Sequence, residues 1–192
     1  MGASKSGFSS VLTHPLRSRS VHHMSHPVPD PQQRTLRAIR DLLASRDIRF
    51  RELHHQPTYT SEQSAAARGE SVEIGGKAIV MKVDEAFHLF VLSAARSVDS
   101  AAIRKRLSAR RSRFATPEEL LQLTGLVPGS VPPFGRPILE LDLYADEAML
   151  ENQRIAFNAG SLTDSIIMGM QDYLRVAAPV VFPFSKPPAA TV

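Results

Sequence analysis

Two apolar runs separated by three residues constrain this chain more than any other feature. Lys77 to Val83 and Phe87 to Ser93 are rich in Ile, Val, Leu and Phe, and Asp84-Glu85-Ala86 lies between them. Such a pair predicts a β-hairpin. The remaining segments fit around it as helices and short strands. Asp30-Pro31-Gln32-Gln33 supplies a cap, a proline at the first helical position and a glutamine at the third, followed by Leu36, Ile39, Leu42 and Leu43 on one helical face. Thr60-Ser61-Glu62-Gln63 opens an Ala-rich helix that Gly69 ends, Val98-Asp99 starts another, and Thr116-Pro117-Glu118-Glu119 starts a third that stops at Gly125. Ile48 to Leu53, Ile138 to Leu143, Arg154 to Asn158 and Ser165 to Met168 read as strands, Ala145 to Glu151 and Gln171 to Val176 as helices. Because helices and hairpins are interspersed without regular βαβ alternation, the expected class is a single α+β domain with a mixed, mainly antiparallel sheet.

Charge separates the ends from the body. The chain has 192 residues and a formal net charge of +4, but residues 1–29 hold Lys5, Arg17 and Arg19 with no acid. Those residues also carry His14, His22, His23 and His26 and show no apolar period, so they are expected to be a disordered basic tail. A targeting segment and a start placed too far upstream are the other two readings. The folded domain is expected over residues 30–180, with a flexible tail at 181–192. Zero cysteine excludes disulfides, thiolate metal sites and thiol catalysis. No apolar run reaches the ~18–20 residues that a membrane span needs, so a soluble, cytoplasmic protein without membrane contact is expected.

Three features could bear chemistry. Lys77 opens its apolar run and is either a solvated strand-end residue or an ammonium aimed into a pocket; Lys82, at the far end, is expected to be solvated. The segment Gly129-Ser130-Val131-Pro132-Pro133-Phe134-Gly135 is too rich in Gly and Pro for helix or strand. It is either a rigid connector or a loop presenting the N–H groups of Gly129, Ser130, Val131, Phe134 and Gly135. Arg104-Lys105-Arg106, Arg110-Arg111 and Arg113 place six cations within ten residues without an acid, which favours a polyphosphate partner. His54 and His55 are adjacent in a strand-like segment and point to opposite faces, so they cannot ligate one metal from a regular strand.

Four blocks extend these readings: His55-Gln56-Pro57-Thr58-Tyr59-Thr60-Ser61, Gly76-Lys77-Ala78-Ile79-Val80-Met81-Lys82, Thr124-Gly125 through Gly135, and Phe157-Asn158-Ala159-Gly160. Together, in this order, they resemble the YbaK/ProX-type aminoacyl-tRNA deacylases, relatives of the editing domain of bacterial prolyl-tRNA synthetase. The resemblance covers roughly residues 34–178. It implies a barrel-like mixed sheet flanked by helices and an enzyme that hydrolyses mischarged aminoacyl-tRNA in trans, with tRNA-Pro carrying a small amino acid as the expected substrate. The family's lysine falls on Lys77 as the catalytic residue. Its loop falls on Gly129 to Pro133 and its glycine-containing strand end on Asn158 and Gly160, with Ser165 where some members carry Asp. Ala78 departs from the family, which commonly has Thr or Asn there.

The expected substrate-binding set is therefore Gly129, Ser130, Val131, Pro133, Phe134, Gly135, Tyr59, Thr60, Asn158, Gly160 and Ser165. Arg104, Lys105, Arg110, Arg111 and Arg113 are expected to grip tRNA. The expected partners are the acceptor end of aminoacyl-tRNA and a prolyl-tRNA synthetase, and no metal or cofactor is implied. The ester is already activated and its neighbouring ribose hydroxyl can assist attack, so a protein nucleophile is unnecessary. A binding module that keeps the fold without turnover, and a sequence-independent nucleic-acid binder, are the competing classes.

Overall fold

The computed structural model describes residues 30–187, together with Met1 and Gly2. The expected basic tail at residues 1–29 therefore lies almost wholly outside the described residues. The hairpin is the centre of the fold. Strand β2 (Gly76–Val83) pairs antiparallel with β3 (Ala86–Ser93) over all eight positions, from Gly76 opposite Ser93 to Val83 opposite Ala86. Alternate residues of this ribbon enter different cores, as the two-residue strand period demands. Val80, Leu89 and Val91 join one cluster, whereas Met81, Phe90 and Leu92 join the other.

Strands β5 (Ser112–Phe114), β6 (Asp142–Asp146) and β9 (Val180–Phe182) extend the hairpin into a five-stranded sheet ordered β5-β2-β3-β6-β9. The β3–β6 and β6–β9 pairings are parallel and the others antiparallel. A second, antiparallel sheet is ordered β1-β8-β7, from β1 (Phe50–His54), β7 (Arg154–Asn158) and β8 (Asp164–Gly169). Two short strands, β4 (Ser97–Val98) and β10 (Ser185–Lys186), form a third ladder. A bridge between Gly75 and Ala156 links the two larger sheets at the start of β2. The α+β class stands, but the large sheet remains open, with β5 and β9 at its edges, so no barrel closes.

Helix starts follow the caps in the sequence. Helix α1 (Pro31–Ser45) is capped by Asp30 and buries Ile39 and Leu43. Helices α2 (Ser61–Arg68) and α4 (Pro117–Thr124) both carry a complete capping box, through Thr60 with Gln63 and Thr116 with Glu119. Both end on a glycine in the left-handed region, Gly69 and Gly125. Helix α3 (Ser100–Arg106) is capped by Asp99, and α5 (Met170–Ala177) packs its buried Tyr173 against the loop after α4. Among the described residues no helix is long and apolar enough to cross a membrane.

Two expectations fail for tertiary reasons. Ile138 to Leu143 is not one strand: the Gly135 carbonyl accepts from both Ile138 and Leu139, which closes a turn, and strand pairing starts only at Asp142. The turn still buries Leu139 and Leu141 and exposes Glu140, mimicking strand alternation. Nor is the chain after residue 180 a tail as far as residue 187. Phe182 and Phe184 fill the second core, and the Phe184 N–H (2.6 Å) and Ser185 hydroxyl (2.6 Å) donate to the buried Asp146 carboxylate. The expected Ala145–Glu151 helix is a 3-10 turn, Glu147–Glu151, which Asp146 also caps.

Asp146 thus ties β6, the 3-10 turn and the C-terminal strands together. Its replacement by alanine leaves a buried N–H without an acceptor, and should lower unfolding stability by about 3 kcal/mol. Urea unfolding of Asp146→Ala would measure this, and an unchanged midpoint would show that the C-terminal strands contribute nothing.

Candidate active site

Where β2 begins, three segments converge on a cavity of about 340 Å³. This size is at the small end of ligand pockets. The N-terminus of α2 and the residues before it provide hydroxyls: Thr58, Thr60, Ser61 and Ser64. Strand β2 provides Lys77 and the aliphatic wall of Ala78, Ile79 and Val80, with Phe114, Ala115 and Leu120 opposite. The loop after α4 closes the third side with Gly129 and Val131, beside Asn158 at the end of β7. One half of the cavity is therefore polar and the other aliphatic.

Lys77 points into this space rather than into bulk water. Its Nζ donates to the Arg96 carbonyl at 2.7 Å, leaving two further N–H groups. Half-burial pushes its pKa below the usual lysine value, and the nearby Glu62 carboxylate partly opposes that shift. Lys82 is not simply solvated: its ammonium lies 3.6 Å from Glu85 and 5.5 Å from the centre of the Phe87 ring.

The Gly/Pro loop divides into donors and supports. Ser130 is fully buried; its N–H and hydroxyl both donate to the Val127 carbonyl, at 3.1 and 2.8 Å. Its own carbonyl accepts from the Gly160 N–H at 3.0 Å. In a trans peptide the next N–H points the opposite way. The Val131 N–H is thus turned away from Gly160, and neither it nor the Gly129 N–H has an acceptor among the described residues. Gly129 sits at φ 86°, and Gly160 at φ 95° with Thr35 where a Cβ would go.

Of the expected substrate-binding residues, Gly129, Val131, Tyr59, Thr60 and Asn158 line the cavity with Lys77. Ser130, Pro133, Phe134, Gly135, Gly160 and Ser165 do not. Phe134 is core, with its ring centre 5.5 Å from Phe157 and 5.7 Å from Tyr173. Gly135 sits where a Cβ would meet the Leu141 carbonyl, and the Pro133 carbonyl accepts from the Tyr173 hydroxyl. Ser165 lies one layer behind the cavity, bonded to His55 Nε2 at 2.7 Å. Sequence reasoning missed Arg68, which lines the cavity and is buried. As the last residue of α2 it looks like a cation complementing a helix C-terminus.

The cationic run is compensated from outside its own helix. Arg113 makes two 2.7 Å bonds to Glu119, Arg111 pairs with Glu85, and the Arg110 and Arg111 amides donate to Asp84. Arg104 reaches the Ser112 hydroxyl at 3.3 Å. Lys105 and Arg110 are exposed, and neither forms an ion pair among the described residues. Strand β5 carries the run up to Phe114, on the rim of the cavity.

The comparisons with known proteins agree with this geometry. The aminoacyl-tRNA editing domain family matches residues 55–176. A multifunctional Ser/Thr-tRNA deacylase of Escherichia coli (strain K12), ProXp-y, is 34% identical over 151 residues, covering 76% of this chain and 89% of that protein. A proline–tRNA ligase of Shouchella clausii (strain KSM-K16) is 31% identical over 100 residues, 52% of this chain and 17% of the ligase. The crystal structure of hypothetical protein APE2540 superposes with a TM-score of 0.70 at 20% identity, covering 77% of this chain and 99% of its own, a likeness of fold alone.

Burial at Lys77 has a direct consequence. Its pKa is lowered, so it loses its proton earlier than a free lysine as pH rises. Amine-selective labelling followed against pH should give Lys77 a midpoint below 10.5. A midpoint at or above that value would place the ammonium in open solvent.

Proposed function

The chain belongs to the aminoacyl-tRNA editing domain family, and on that premise we propose that its cavity hydrolyses the ester of a mischarged aminoacyl-tRNA in trans. The observation that supports this most is the meeting of Lys77 with the unpaired Gly129 and Val131 amides around one small cavity. A synthetase gains only ~1–3 kcal/mol from one methylene, so amino acids of near-equal size are mischarged and need a second sieve. The hydroxyl-lined half of the cavity suits a small polar side chain, in keeping with a relative named as a Ser/Thr-tRNA deacylase. A small amino acid on tRNA-Pro is the substrate we favour, since the prolyl ligase shares the domain.

Water adds to the ester carbon, and negative charge develops on the carbonyl oxygen. The Gly129 and Val131 N–H groups face that oxygen, while the Lys77 ammonium holds the terminal phosphate or the same oxygen. The vicinal ribose hydroxyl places the water or assists its attack. The ester bond then breaks, the departing ribose oxygen takes a proton, and free amino acid and tRNA leave. No side-chain nucleophile is required, and hydrolysis is expected to survive EDTA. The cytoplasm is the compartment this reaction implies.

The exposed cations, Lys105 and Arg110 above all, would follow the phosphates of the acceptor stem while the 3′ end enters past Phe114. A prolyl-tRNA synthetase is the natural source of the mischarged tRNA.

Lys77→Ala with a mischarged tRNA is the test of the main reading. Loss of one such donor should slow deacylation by about 100-fold or more, whereas the wild-type rate would refute the assignment. Binding without turnover by the wild-type protein would instead favour a non-catalytic module. For the cations, the pair Lys105→Glu and Arg110→Glu should raise KM for tRNA several-fold and spare hydrolysis of small aminoacyl esters. The salt dependence should flatten by about 0.7 per lost phosphate contact. Equal loss on both substrates would assign these residues to the fold.

A further inference from the structure

Nothing in that reaction uses the buried guanidinium of Arg68. The residue is 7% exposed and borders the cavity, yet every partner it has is neutral. Its Nε donates to Ser165 Oγ at 2.9 Å, Nη2 to Asn158 Oδ1 at 2.6 Å, and Nη1 to the Ala156 carbonyl at 3.4 Å. No ion pair includes it among the described residues. Burial lowers its pKa to about 10, so it stays charged at neutral pH. A buried charge without an acid is costly to keep, and a well-packed neutral side chain would be cheaper if filling space were the only requirement.

What the fork does is orient an amide. Asn158 Oδ1 accepts from Arg68 and also from the Ser165 hydroxyl at 3.2 Å, which commits that oxygen to the Arg68 side. The Asn158 NH₂ must then face the other way, and it donates to the Gly129 carbonyl at 2.7 Å. The same peptide plane is held at its other end by the Ser130 N–H on Val127. A path of three contacts thus runs from α2 through β7 to the loop whose free amides face the cavity. We propose that Arg68 is a positioning residue for the hydrolysis: its guanidinium locks the Asn158 amide, and Asn158 in turn locks the Gly129–Val131 main chain opposite the scissile carbonyl. This rests on the preceding functional reading.

The experiment compares wild type, Arg68→Lys and Arg68→Met by thermal unfolding, deacylation kinetics and backbone amide exchange. Lysine keeps the charge but cannot reproduce a planar fork. Arg68→Lys should keep Tm within a few degrees and KM within threefold while kcat falls about 100-fold, the loss expected from a small misplacement at a reacting centre. Exchange at the Ser130 N–H should accelerate at least tenfold against the amides of β3. Wild-type kcat, unchanged Ser130 exchange, or a kcat loss that merely follows Tm across the two variants would each overturn the proposal.

Asn158→Asp keeps the pairing with Arg68 but removes the donor to Gly129, so it decides the matter if neither Arg68 variant folds. It should lose kcat with Tm at or above wild type, and unchanged kcat would refute the path. Should the wild-type protein deacylate no mischarged tRNA, the functional reading fails by itself. The Ser130 exchange rates then still decide whether Arg68 holds the loop.

Discussion

The pairing of β2 with β3 is the constraint on which the rest depends. Because its residues alternate between two cores, a slip of one position would move Val80, Leu89 and Val91 into the space of Met81, Phe90 and Leu92, and would turn Lys77 away from the cavity. Register, core composition and the direction of the ammonium are thus one decision. Both faces of the hairpin must be covered. The first is covered by the β1-β8-β7 sheet with α1, α4 and α5, the second by α3 and the C-terminal strands.

The site sits where that hairpin starts, beside the link to the second sheet. Each wall comes from a different kind of element: a strand for the cation, a helix start for hydroxyls, a proline-stiffened loop for main-chain donors. Convergence of this type lets the catalytic groups be set by rigid neighbours instead of by one another. The loop shows how. Its buried half, from Ser130 to Gly135, is fastened by Val127, Gly160 and Tyr173, so the amides that remain free are held without paying for their order at the moment of reaction. Arg68 extends the fastening to α2.

Electrostatics divides the surface in the same economical way. Asp84, Glu85 and Glu119 neutralise most of the local repulsion among the arginines that follow α3, so what looks like a uniform basic run is a lattice of alternating charge. Exposed pairs of this kind add little stability. Their effect is to leave Lys105 and Arg110 as the cations free for an anionic partner, close to the rim marked by Phe114.

Local chemistry was legible in the linear chain. The caps at Asp30, Thr60, Asp99 and Thr116, the stops at Gly69 and Gly125, and the hairpin turn all depend on groups within a few residues of each other, so their outcome needs no knowledge of the fold. The family motifs likewise marked Lys77 and the Gly129 loop. Distant partners decided the rest. Ser165, Gly160 and Phe134 were taken for substrate contacts, yet they support from behind, because which face of a loop meets solvent is set by what packs against it. The segment 181–187 became strand because Asp146 and the second core were there to receive it. Arg68 gave no signal, since an arginine at a helix end is ordinary until β7 and β8 fold over it. Sequence alone thus determined which local elements form and which residues hold the reactive atoms. Burial, and with it the direction each polar group faces, was decided only when segments far apart in the chain excluded water together.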